Sequence, residues 1–104
     1  MQIFDQAHFA HMTGGDRALQ REVLGLFRAQ IDGWSAAMSA GQGWSEAVHT
    51  LKGSARGIGL SALAAACEAA ERAPETEVAA ALAGVRAALA DALTALEQYA
   101  AAAA

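Results

Sequence analysis

Apolar residues three and four positions apart recur along most of the chain, and this spacing constrains the fold more than any other feature. Toward the C-terminus Val78, Leu82, Val85, Leu89, Ala92, Leu96 and Tyr99 alternate by four and three. That is one face of a helix, not the two-residue period of a strand. The same alternation joins Trp44, Val48, Leu51, Ala55 and Ile58, and then Leu60, Leu63, Cys67 and Ala70. A wider stripe over Leu19, Val23, Leu26, Phe27, Ile31, Trp34 and Met38 marks a long helix before them. Much of the remainder is alanine, the strongest helix former, and no run rich in Val, Ile and Thr favours a strand. The expected fold class is all-α.

Turn and cap residues divide the stripes. Asp5 is placed to cap a short first helix reaching about Met12, and Gly14-Gly15 stops it. Asp16 caps a second helix that runs to about Ala40, before the break at Gly41-Gln42-Gly43. A third starts near Trp44 or Ser45 and ends at Gly57-Ile58-Gly59, and a fourth runs from about Leu60 to Arg72. The only proline, Pro74, separates the last helix, for which Thr76 is the expected N-cap. The terminal alanines, 101–104, are expected to fray. Short connections force neighbouring helices to run antiparallel. The expectation is an antiparallel up-down four-helix bundle with a short extra N-terminal helix. With 104 residues and no internal repeat, it should form a single domain over 1–104.

Charge narrows the possible partners. A net charge of −4, a pI of about 5.2 and no Lys/Arg cluster argue against nucleic acid and against an anionic membrane surface. The lone Cys67 allows no intrachain disulfide and suits a reducing compartment. The opening residues MQIFDQAHF lack the basic and apolar regions of a signal peptide. Arg86, Asp91 and Glu97 interrupt the alanine-rich segment after Glu75, so no membrane span is expected there. A cytoplasmic location follows as the expectation.

Removing the buried stripe from the third helix leaves His49, Lys52, Gly53 and Arg56 on one face, at i, i+3, i+4 and i+7. Each has a use if the histidine carries a phosphoryl group. Neutral imidazole is nucleophilic near pH 7. An ammonium one turn away offsets the charge of the phosphoryl oxygens, and phosphoryl transfer depends mainly on positioning and charge stabilisation. Gly53 costs about 0.5–1 kcal/mol in a helix interior relative to alanine, so its presence in an alanine-rich chain favours a role in access. By spacing alone, an exposed histidine near a lysine is more often an ordinary solvated face.

A longer match separates the two readings. His49-Thr50-Leu51-Lys52-Gly53-Ser54-Ala55-Arg56-Gly57-Ile58-Gly59-Leu60 closely resembles the phosphorylation motif of histidine phosphotransfer (HPt) domains, roughly H-x-L-K-G-S-[SA]-x-x-[IVL]-G. Upstream, Phe4-Asp5, Gly15-Asp16, Leu19, Val23 and Phe27 are laid out as in the N-terminal half of that family, and Leu63, Cys67 and Glu68 sit where its next helix packs. The last helix matches only in type. The resemblance implies that His49 is phosphorylated, that Lys52 neutralises the phosphoryl charge and that Gly53 gives a partner room. Arg56 and Gly57 occupy variable positions and take no role from it. It implies a phosphocarrier without ATP-dependent kinase activity, exchanging phosphate with response-regulator receiver domains and possibly a hybrid histidine kinase. No cofactor of its own is implied, magnesium belonging to the receiver's acidic pocket, and a carrier with one exposed histidine needs no dimer.

Other arrangements compete less well. The phosphoacceptor domain of a sensor kinase usually has an acidic residue directly after its histidine and a proline soon after, whereas Thr50 and the distant Pro74 stand here. The N-terminal phosphoacceptor domain of a chemotaxis-type kinase has a similar motif but would call for a kinase domain beyond Ala104. A helical adaptor without phosphate chemistry is the reading from another class. His8 and His11, at i and i+3, lack an obvious third metal ligand and suit a surface or capping role. Cys67 lies on a buried stripe and should be inert. Trp34 and Trp44 should pack the bundle end, and Glu68, Glu71 and Arg72 should form a solvated face with i, i+4 pairing. The glycines of 53–59 are not a phosphate-binding loop, since no strand precedes them. Some of Phe9, Met12, Val23, Leu24, Leu26 and Phe27 should stay exposed as a docking patch near His49.

Overall fold

The computed structural model describes residues 1–39 and 43–103. Helix starts and stops follow local chemistry. Asp5 is extended, and its carboxylate accepts the His8 amide at 3.0 Å, starting α1 (Gln6–Met12). Gly14 and Gly15, at φ 60° and 73°, turn the chain in a way that side chains resist. Asp16 then accepts the Leu19 amide at 3.1 Å at the head of α2 (Arg17–Ser39). The break expected at Gly41 and Gln42 lies outside the described residues. Helix α3 (Trp44–Ile58) ends at Gly59, which is left-handed at φ 97°. A Cβ there would also sit 2.9 Å from the Asp5 carbonyl oxygen, so shape and conformation both require glycine. Leu60 alone separates Gly59 from α4 (Ser61–Arg72), which therefore folds back along α3.

Two boundary expectations need correction. Thr76 does not cap the last helix: it lies inside a short 3₁₀ turn, Glu75–Glu77, whose Glu77 amide bonds the Pro74 carbonyl at 2.8 Å. That turn leads directly into α5 (Val78–Ala103). The terminal alanines, expected to fray, are instead helical as far as Ala103, as their helix propensity favours. Ala104 lies outside the described residues.

The result is an all-helical bundle. Helix α3 packs against α1, α2 and α4, while α5 closes the other side against α4 and α2. Val48, Leu51 and Ala55 of α3 meet Leu63, Cys67 and Ala70 of α4 and Val85, Leu89 and Leu96 of α5 in the core. At one end Phe4 and Phe9 each meet Tyr99 edge to face and pack tilted against each other, with centroids 5.3 to 5.7 Å apart. There the Tyr99 hydroxyl donates to Gln20, Gln20 to the Thr13 hydroxyl, and Thr13 to the Phe9 carbonyl. This chain of hydrogen bonds satisfies the buried Gln20 and Thr13 and ties α5, α2 and α1 together. At the other end Trp34 is buried against Phe27 and Trp44 is half-buried on the core, as expected of both.

Helix α5 sets the 43 Å long axis, since 26 residues span roughly 39 Å. The segment Glu75–Ala102 is long and apolar enough to cross a membrane by length and composition alone, a test that the core helix of a bundle also passes. Alanine accounts for much of this, and Leu82, Val85, Leu89, Ala92 and Leu96 of the same helix are core residues of the bundle.

Candidate functional site

Val48 and Leu51 are fully buried, and their side of α3 faces the core. That rotation turns His49 outward, with 70% of its side chain exposed. One turn on, a Cβ built at Gly53 would meet nothing within 4 Å, so no neighbour inside the protein requires a glycine there. Lys52 behaves differently. Its side chain is only 16% exposed and leans onto α4.

What it meets is Glu71. One carboxylate oxygen of Glu71 takes the Lys52 ammonium and the other lies 3.2 Å from His49 Nδ1. This corrects the reading of Glu68, Glu71 and Arg72 as one solvated face. Glu68 and Arg72 do pair along α4 at 2.7 Å, but Glu71 is turned across to α3. The sequence carried a signal for it. His49 lies eleven residues before Leu60 and Glu71 eleven after, so a tight antiparallel turn at Leu60 brings them level.

The carboxylate decides the state of the imidazole. The hydrogen bond from Lys52, the largest influence, holds the Glu71 carboxyl below its ordinary value; desolvation comes next and opposes it, and the contact with His49 adds a lesser lowering. Glu71 is therefore ionised at neutral and mildly acid pH and can only accept hydrogen bonds. Such a carboxylate can hold His49 Nδ1 only as an N–H donor, the tautomer in which a neutral ring keeps its lone pair on Nε2. A neutral imidazole with Nε2 free and Nδ1–H anchored is a positioned nucleophile.

Arg56 lies 3.7 Å from Glu68, which Arg72 also holds, so the two arginines bracket one carboxylate. Beneath the Lys52–Glu71 pair, Cys67 is buried and its thiol pushed up to about 11, by burial first and Glu71 second, with Lys52 opposing. It stays a thiol at neutral pH and fits the inert role expected. His11 is exposed, but His8 is not a surface residue: it packs beneath Gly59, its Nε2 enclosed without a hydrogen-bond partner among the described residues. No group of three metal-ligating side chains occurs among the described residues.

The other flank of α3 is apolar. Val23, Leu26, Phe27 and Gln30 of α2 and Ser54 and Ile58 of α3 line an open groove of about 200 Å³. Leu26 is 60% exposed, and Leu19 and Met12 are also exposed, whereas Phe9, Leu24 and Phe27 belong to the core. The expected division of these apolar residues is thereby resolved.

A family model described as Hpt domain matches residues 17–99. No curated protein and no solved structure matches the chain.

Proposed function

This chain belongs to the Hpt domain family, which serves histidine phosphotransfer in phosphorelays, and we propose that His49 is the residue on which it carries the phosphoryl group. The observation that carries this reading is the largely exposed imidazole whose Nδ1 lies 3.2 Å from a carboxylate oxygen of Glu71. In the proposed step the Nε2 lone pair attacks the phosphorus of a receiver aspartyl phosphate. The P–N bond forms, the P–O bond breaks, and its electron pair returns to the aspartate. Transfer to a second receiver is the reverse.

Lys52 supplies positive charge beside the transferred group, and Gly53 leaves the approach clear. The receiver docks across the α2–α3 groove with Leu26 as an apolar anchor, because such exposed patches beside a reactive group mark protein partners. In this reading the protein acts as one carrier unit in the cytoplasm, as a monomer, and the receiver brings the magnesium.

The test is incubation with a phosphorylated receiver domain. The wild type should take up acid-labile, base-stable phosphate, and His49→Gln should take up none while keeping its helical circular dichroism, since exposed positions contribute little to stability. Phosphate on the His49→Gln protein would sink the assignment, and so would an unfolded variant.

A further inference from the structure

Four of the seven Lys and Arg residues stand along the seam between α2 and α5, away from the phosphoryl site. Arg17, Arg21 and Arg28 lie at i, i+4 and i+11, within about 40° of one line along α2. Two contacts fix which way that line faces. Arg28 pairs with Glu97 of α5 at 3.1 Å, and the Arg17 guanidinium lies 5.9 Å from the centre of the Tyr99 ring on α5. Arg86 comes eleven residues before Glu97 and so falls on the same side of α5. All four arginines are exposed. The carboxylates that share the seam are Glu97 and, one turn beyond Arg28, Asp32. A basic strip therefore stands on a chain of net charge −4. It lies on the far flank of α2 from the apolar groove, since Leu26 and Gln30 sit two residues either side of Arg28, about 200° around the helix. A partner on the strip leaves the groove and His49 uncovered. At its Arg17 end the strip meets an open cavity of about 680 Å³, which Ile3, Phe4, Ala95 and Tyr99 also line.

We infer that this strip and cavity form a second docking surface, which takes an acidic helical segment of a partner protein; the inference goes beyond the carrier reading and does not rest on it. Charge complementarity selects the occupant. Guanidinium groups pair with carboxylates through two parallel hydrogen bonds, which an ammonium cannot match. Arg17 and Arg21 stand about 6 Å apart along the axis, the interval between carboxylates one turn apart on a facing helix, and Arg28 lies about 10 Å further on. An apolar side chain near the end of such a helix fits the cavity beside Phe4 and Tyr99. Nucleic acid and an anionic membrane fit less well. A polyanion longer than the strip runs onto the rest of a surface that carries most of the eleven Asp and Glu residues, which repel it.

The probe is a synthetic alanine-based peptide of about 18 residues, long enough to hold a helix, with glutamates at i, i+4 and i+11 and a leucine at each end. It is titrated into the ¹⁵N-labelled protein at low salt, where exposed charges are little screened. Amide shifts should move over residues 17–28 and 95–99, while those around His49 stay in place. Arg21→Gln should bind the peptide about two- to fivefold more weakly, the range for one exposed ion pair, and Arg21→Glu more weakly still. Leu26→Glu lowers the net charge by the same single unit on the opposite flank, and it should bind the peptide as the wild type does. Phosphoramidate, a small phosphoryl donor, should load Arg21→Gln at the wild-type rate. Shifts confined to other faces, or none at all, overturn the inference. So does equal weakening by Arg21→Gln and Leu26→Glu, since the peptide would then sense only overall charge. Slower loading of Arg21→Gln would merge the strip with the phosphoryl site and overturn its separateness. Single-stranded DNA or phosphatidylglycerol vesicles that displace the peptide at equal charge concentration would overturn the choice of an acidic protein segment.

Discussion

On the α4 side of His49 the charged groups are committed to one another: Lys52 and the imidazole to Glu71, Arg56 and Arg72 to Glu68. On the α2 side Val23, Leu26, Phe27 and Ile58 leave a groove with little polar lining and one leucine largely in solvent. A carboxylate placed on the open flank would face a receiver's own acidic pocket. Held on α4, it meets the imidazole at Nδ1. The apolar flank offers affinity without charge, which suits a transient contact that must form and dissociate. Under the proposed function chemistry falls to one flank and recognition to the other, and each role carries its own expectation.

The largest effect should come from the charged flank. Lys52→Ala removes the ammonium beside the transferred phosphoryl group and should slow transfer by about tenfold to a hundredfold, toward the low end for one stabilising donor because the site is open to water. Its affinity for an unphosphorylated receiver, measured by calorimetry, should stay close to that of the wild type. A matching loss of affinity would place Lys52 on the docking surface and dissolve the division.

Leu26→Glu addresses the other flank. It should weaken receiver binding by about tenfold, the scale of one anchor residue, and leave the rate of phosphoramidate loading unchanged. Thermal stability should barely move, since the side chain is largely exposed already. Amide shifts induced by a receiver should cluster on α2 and α3. Perturbations confined to α4 and α5 would reverse the two roles.

The smallest effect lies where the flanks join. Gly53→Ala meets open space and should stabilise α3 by up to about 1 kcal/mol in thermal unfolding. Transfer from a receiver should nevertheless slow, more so for Gly53→Gln, while loading by the small donor should not. Equal receiver transfer rates for wild type and Gly53→Gln would leave that glycine without an access role.

How much of this was legible differs by element. The stripe over Val48, Leu51, Ala55 and Ile58 needed only helical periodicity to turn His49 outward, and the structure keeps that face. Asp5, Gly14-Gly15 and Gly59 mark helix ends in the sequence because capping and positive φ are properties of single residues. Thr76 misled because a residue suited to capping also suits a 3₁₀ turn, and Pro74 before it favoured the turn. Helix α2 has more apolar residues than one buried face holds, so its rotation was undetermined. Packing on α3 and α5 chose Leu24, Phe27, Trp34 and Met38 for the core and left Leu26 outside.

Local spacing alone determined the helical class, the outward His49 and the neighbouring Lys52 and Gly53, because residues within two turns of one helix have their relative directions set by the backbone. The partner of Lys52 was a different matter. Glu68 and Glu71 are both carboxylates on the same side of α4, and Arg72 stands where it can pair with Glu68 along the helix. Which carboxylate reaches Lys52 and His49 depends on the rotation of α4 about its axis, and burial of Leu63, Cys67 and Ala70 sets that rotation. Only tertiary packing therefore put a carboxylate on His49 Nδ1, since a contact between helices depends on two rotations and a register that neither helix specifies by itself.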